Sequence, residues 1–150
     1  MRANTAGTIF KIVAVIALLG SIGGFFLDYV TGITGFEIFR ATMEVNYGWT
    51  ETIMYLVLPH ALLIIAALVL VGSTSTARCI ITLVLSVIAF LLYMYGTNFD
   101  FSFKYRGMGF IITFIACLCG IVFPILILTV GVDRGRGTYT MEDDYHNNRW

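Results

Sequence analysis

Four stretches of this 150-residue chain are almost wholly apolar. They cover about residues 9–30, 52–72, 79–96 and 108–132, each near or above the ~18 to 20 residues that a helix needs to cross bilayer hydrocarbon. Lipid offers no partner to an exposed peptide group, so runs of this kind are read as α-helices, which satisfy their own backbone. The expected fold class is therefore an all-α membrane protein, a four-transmembrane-helix bundle. Residues 1–132 form its transmembrane domain, and residues 133–150 form a flexible polar tail with an acidic cluster at Glu142, Asp143 and Asp144.

Composition narrows the function classes. Charged residues make up 12% of the chain, about half the share of a soluble domain. Lys+Arg and Asp+Glu number 9 each, so no net field draws the chain to nucleic acid. Soluble enzymes, nucleic-acid binders and disulfide-stapled modules are excluded. Arg2, Lys11, Arg78, Arg134, Arg136 and Arg149 fall on one side of the four spans, and Arg40, Lys104 and Arg106 on the other. The positive-inside rule then places both termini in the cytoplasm. The plasma membrane is the default location, since no retention or transit signal is visible. Gly20-Ser21-Ile22-Gly23-Gly24 is a poor cleavage site, so the first run is expected to stay as a helix.

The two outer connections are patterned. Phe99, Phe101, Phe103 and Tyr105 alternate with polar residues, and so do Phe39, Ala41, Met43, Val45 and Tyr47. Period two is the signature of a half-buried strand. The two outer loops are thus expected to pair as a small extracellular β cap. Phe39, Trp49, Phe99, Phe101, Phe103 and Tyr105 are its candidate contact residues.

Ionisable groups at depth mark function in a membrane, because burying them is costly. Among the four runs only His60 qualifies, about 8 residues or ~12 Å from the outer end of its helix. Its neighbour Pro59 has no backbone N–H, which frees the Tyr55 carbonyl in a regular helix. Pro59 and His60 are a candidate polar site in the membrane. The alternative is a neutral histidine bonded to a freed carbonyl or to a tyrosine of another helix. One histidine is too few for a four-helix haem protein. Cys117 and Cys119 form no C-x-x-C pair, while Cys79 beside Arg78 is a juxtamembrane candidate for lipidation. No catalytic, cofactor-binding or metal-ligating set is expected, and no small-molecule substrate is evident.

Packing chemistry is plainer. Gly20 and Gly24 form G-x-x-x-G in the first helix, and Ala116 and Gly120 repeat the small spacing in the fourth. Such residues let helix backbones approach closely in lipid. They are candidate helix-packing interfaces, either inside the bundle or toward another protein. Pro124 is expected to bend the fourth helix.

Four helices with both termini inside, a strand-bearing first outer loop, a shorter second loop and a tight inner turn resemble the claudin-like small tetraspan membrane proteins. Gly48-Trp49 echoes their first-loop motif. The segments Thr8-Ile9-Phe10-Lys11-Ile12-Val13 and Leu27-Asp28-Tyr29-Val30 look like those of small four-helix junction proteins of invertebrates. The claudins' paired loop cysteines have no counterpart here, and the first loop is short. The resemblance thus implies an interaction protein rather than a paracellular barrier. The expected function is a non-enzymatic membrane scaffold, cell-junction protein or auxiliary subunit, partnered by the bilayer and by another membrane protein or a second copy of itself. The rivals are a small oligomeric channel or transporter, with His60, Tyr55, Tyr93 and Tyr95 lining a path, and an accessory subunit of a membrane oxidoreductase.

Overall fold

A computed structural model describes residues 5–72, 75–98 and 106–130. Helix α1 spans Thr5–Phe26, and its last hydrogen bond runs from Leu27 N–H to Gly23 O. The chain then turns back on itself as β1 (Asp28–Val30) and β2 (Ile33–Thr34), an antiparallel pair. This hairpin ends α1 about four residues before the apolar run does. Helix α2 follows at Gly35–Val45. The second span, Trp49–Gly72, contains three pieces: α3 (Trp49–Thr52), a π-helical turn (Ile53–Val57) and α4 (Leu58–Gly72). Helices α5 (Thr76–Gly96) and α6 (Met108–Val130) complete the bundle. Four helices are long and apolar enough to cross a bilayer, and the chain is an integral membrane protein.

The helices pack in a ring, α1 against α4 and α6, and α5 against α4 and α6. Three layers of buried side chains fill it. Tyr29, Leu56, Tyr93, Met94 and Phe110 occupy the end that carries α2 and the hairpin, called here the cap end. The middle layer is small-residue rich, with Ala66, Ala67, Ala89 and Ala116 around Leu18 and Leu63. Ala14, Leu70, Cys79 and Ile127 close the opposite end. The outward faces of all four spans are apolar, with Ile16, Leu68, Leu91 and Ile115 each at least half exposed, as lipid-facing surface requires.

Close approach is confined to a few positions. A Cβ on Gly24 would lie 2.6 Å from Thr113 Oγ1 and 2.9 Å from Gly109 O, and a Cβ on Gly109 would meet the Gly24 carbonyl. A Cβ on Gly120 would strike the Ser86 hydroxyl and come within 2.9 Å of Leu18 Cδ2. Ala116 is buried in the middle layer. Gly20 is placed differently: it is exposed, and a Cβ there would meet nothing within 4 Å. The G-x-x-x-G therefore divides, Gly24 serving the bundle interior and Gly20 its outside. Pro124 is buried inside a continuous α6.

The cap corrects the expected strands. Among the described residues the sheet is the hairpin β1–β2 within the first connection, and Val30 bridges to Arg106 of the second. Residues 39–45, read as a strand from their alternation, belong to α2 instead. Thr34 caps the helix: its hydroxyl accepts from Glu37 N–H at 3.1 Å, and the Glu37 carboxylate accepts from Thr34 N–H at 2.8 Å. That reciprocal pair is a capping box. Arg40 and Glu44 pair at 2.8 Å one turn apart, and Asn46 ends the helix in the left-handed region at φ 52°. Apolar residues at 36, 39 and 43 fit one helical face as well as 39, 41, 43 and 45 fit one strand face, and the cap decides. Phe99, Phe101, Phe103, Tyr105 and the 133–150 tail lie outside the described residues.

The bonds from Thr34 hold the Glu37 carboxyl below the ordinary glutamate value. The cap contribution is thus complete above that ordinary value and is lost as pH falls through the lowered one. Replacing Thr34 with Ala removes one side of the box and costs α2 about 1 kcal/mol. Hydrogen exchange over residues 35–45 should then quicken about fivefold, with the four spans unchanged. A second contrast tests the glycines. Gly24→Leu should destabilise the bundle by about 1 to 3 kcal/mol through overpacking, while Gly20→Leu should leave its melting temperature in detergent unaltered.

Candidate functional site

Two features stand together near the cap end, a buried histidine and a cavity above it. The π-helical turn places them. Leu58 N–H bonds to Ile53 O across five residues, widening the helix just before Pro59. Pro59 and His60 are both turned into the bundle, and His60 is only 5% exposed.

The imidazole is held on both edges. Nδ1 lies 2.6 Å from Leu56 O, and Nε2 lies 3.1 Å from the Thr113 hydroxyl of α6. A carbonyl can only accept, so Nδ1 carries a proton. In the neutral ring Nε2 then accepts from Thr113. That hydroxyl is also 2.9 Å from Gly109 O and has one proton to give. Thr113 thus has two settings, toward His60 or toward its own helix. Phe25 packs edge-on to the ring at 5.3 Å, and Tyr29 lies at 6.4 Å. The partners are the Leu56 carbonyl and a threonine, in place of the Tyr55 carbonyl or a tyrosine. Tyr55 lies inside the π-helical turn, and Thr113 lies beside Gly24 where α6 meets α1.

Above the histidine, Tyr93 donates its hydroxyl proton to Phe110 O at 2.9 Å, and the Tyr29 ring packs edge-on to Tyr93 at 6.0 Å. Burial pushes the Tyr29 hydroxyl well above the usual tyrosine range. Phe110 stacks on Tyr93 at 5.1 Å, and the Arg106 guanidinium lies over the Phe110 ring, 4.7 Å from its centroid. Gly107 N–H to Tyr29 O at 3.0 Å ties the two connections together.

A cavity of about 300 Å³ opens over these rings at the cap end. Glu51, Tyr55 and Thr97 form one wall, Arg106 and Val30 another, and Tyr29 and Tyr93 reach it from below. A second hollow of about 250 Å³ faces sideways between α1 and α4, lined by Phe25, Phe26, Val57 and His60. It is apolar apart from the histidine.

Of the tyrosines read as lining a transmembrane path, Tyr55 and Tyr93 both reach the cap-end cavity. Tyr93 is buried, Tyr95 is 60% exposed, and Tyr55 packs on Tyr95 at 5.2 Å between centroids. Below His60 the middle layer of leucine and alanine has no exposed surface. Cys79, read from the sequence as a lipidation candidate, is fully buried against Ala14, Leu70 and Ile127. Trp49 begins α3 and is 46% exposed. Among the described residues no cluster of three or more His, Cys, Asp or Glu side chains converges as metal ligands do.

Sequence reasoning missed Thr113, Tyr29, Glu51 and Arg106 as members of this region. Thr113 lies four residues after Gly109, a spacing that lets its hydroxyl return to the helix carbonyl, but its partner 53 residues away left no local trace. No family model, curated protein or solved structure matches this chain.

Thr113→Val keeps the shape and removes the hydroxyl, leaving His60 Nε2 without a partner in an apolar layer. We expect a loss of about 1 to 3 kcal/mol in unfolding free energy. Thr113→Ser should retain most of it. Thermal unfolding in one detergent across the three proteins checks this.

Proposed function

We propose that this protein is a non-enzymatic membrane scaffold or auxiliary subunit, similar in working principle to the claudin-like tetraspans. It acts through its lateral helix faces and its cap, with the cap outside the cell and the termini in the cytoplasm. The observation that carries this reading is how the buried polar groups are used. Ser21 donates to Leu18 O, Thr82 to Ala66 O and Tyr93 to Phe110 O, and His60 is spent on Leu56 O and Thr113. Among the described residues only Ser86 Oγ is a buried side-chain polar atom without a partner. The Thr82, Tyr93 and His60–Thr113 bonds join one helix to another, and the Ser21 bond stays within α1.

The outward face of α1 is the favoured contact with a partner. Gly20 and Gly23 have open space above them, between the exposed side chains of Ile16, Leu19 and Ile22. Small residues on a lipid-facing helix permit close helix–helix approach. Gly20→Leu together with Gly23→Leu should abolish association with the partner, or with a second copy, while the melting temperature of the isolated chain stays as it was. Cross-linking in native membranes followed by native mass spectrometry reads this directly. Extraction of a lone chain from wild-type membranes would overturn the reading.

The rival, an oligomeric channel, draws on one observation, the polar cavity above Tyr93 and His60. It requires solute flux through liposomes containing the purified protein and loss of that flux in His60→Leu. The scaffold reading requires neither.

A further inference from the structure

The cap-end cavity has a chemistry that packing alone leaves unexplained. Its two walls carry opposite charge. Glu51 stands on the first turn of α3, and Arg106 stands where the second connection enters α6. They share one cavity yet form no ion pair with each other. The single ion pair among the described residues is Arg40–Glu44, on the outside of α2.

Each wall is consistent in kind. Arg106 is held in place by its backbone bridge to Val30 and by the Phe110 ring beneath its guanidinium. Stacking uses the flat face of a guanidinium and leaves the N–H donors along its edge for an oxyanion. The opposite wall is made of acceptors and rings. Glu51 lies one turn from Tyr55, and Tyr55 packs against Gly96, which places Thr97 beside it. The Thr97 hydroxyl donates to Met94 O at 2.9 Å and keeps its lone pairs. A carboxylate, a hydroxyl oxygen and an aromatic face are what an ammonium group needs. A lone anion would meet Glu51, and a lone cation would meet Arg106.

We propose that this cavity binds a small zwitterion, its ammonium at Glu51 and Tyr55 and its phosphate or carboxylate at Arg106. At about 300 Å³ the space is at the lower end of ligand cavities, matching a molecule of headgroup or amino-acid size. The cavity opens where the spans end, so the zwitterion has two sources, the headgroup of an ethanolamine or choline phospholipid, or a free amino acid.

The test uses the full chain in nanodiscs of phosphatidylglycerol, a lipid with no ammonium. Glycerophosphoethanolamine and γ-aminobutyrate are titrated separately and followed by calorimetry. Saturable binding of at least one is expected. Glu51→Gln and Arg106→Gln should each weaken it about tenfold or more, the loss of one charged hydrogen-bond partner. The surface change Glu44→Gln should leave it unaltered. Binding of glycerophosphoethanolamine, with phosphatidylethanolamine retained over phosphatidylglycerol in native mass spectrometry, assigns the site to a lipid headgroup. Binding of γ-aminobutyrate without that retention assigns it to a soluble zwitterion. Absence of saturable binding to both overturns the proposal. So does binding that survives both substitutions, or inorganic phosphate binding as tightly as the zwitterions. Glu51 is exposed, so its variant keeps the test informative if Arg106→Gln fails to fold.

Discussion

The contact of α1 with α6 at Gly24 and Gly109 sets the geometry of everything at the cap end. With no side chain on either residue, the two backbones meet, and each glycine lies against the other's carbonyl. That approach carries Thr113 to the His60 ring. It also brings Gly107 under Tyr29 O and lets Arg106 bridge to Val30. In lipid no hydrophobic force gathers helices, so close packing and interhelical bonds supply the attraction. The two glycines provide the first, and the threonine between helices provides part of the second.

His60 turns this contact into a joint among three helices. A π-helical turn ahead of Pro59 aims the ring inward, where it touches its own helix at Leu56 and α6 at Thr113, with Phe25 of α1 against its edge. The Thr113 hydroxyl can serve the ring or Gly109 O with its one proton. The joint therefore has two hydrogen-bonding settings at no change in backbone position.

The four spans were legible because length and apolarity suffice to identify them, and their ends fell close to expectation except at α1. There the Asp28–Thr34 hairpin consumes residues apolar enough to have continued the helix. The cap was misread for a specific reason. Alternation at residues 39–47 is compatible with a helical face, and the evidence against a strand was polar: Thr34 with Glu37, Arg40 with Glu44, and Asn46 at the end. The small residues were legible as packing residues, but which of them face inward was not. Gly20 and Gly24 share a motif, and their neighbours on α6 decide between them. The polar region above His60 was least legible, since Tyr29, Glu51, Tyr93 and Arg106 come from four separate elements.

Helix α2 has a consequence for how the protein sits in its bilayer. The 22 residues of α1 reach about 33 Å, close to the thickness of the hydrocarbon. The chain therefore starts α2 at the water boundary. Its exposed Phe36 and Met43 share one side with Phe39, and Phe36 packs on Phe26 at the end of α1 at 5.8 Å. The lipid-facing surface of the span thus continues onto a helix of different direction, with Glu37, Arg40 and Glu44 on its wet side. A bundle of four helices already resists sliding along the membrane normal by the match of its apolar band to the hydrocarbon, and an amphipathic helix at its end adds to that resistance. Pushing it inward would immerse charges, and pulling it outward would strip phenylalanines of lipid. The short helix acts as a waterline for the end of the bundle that carries it.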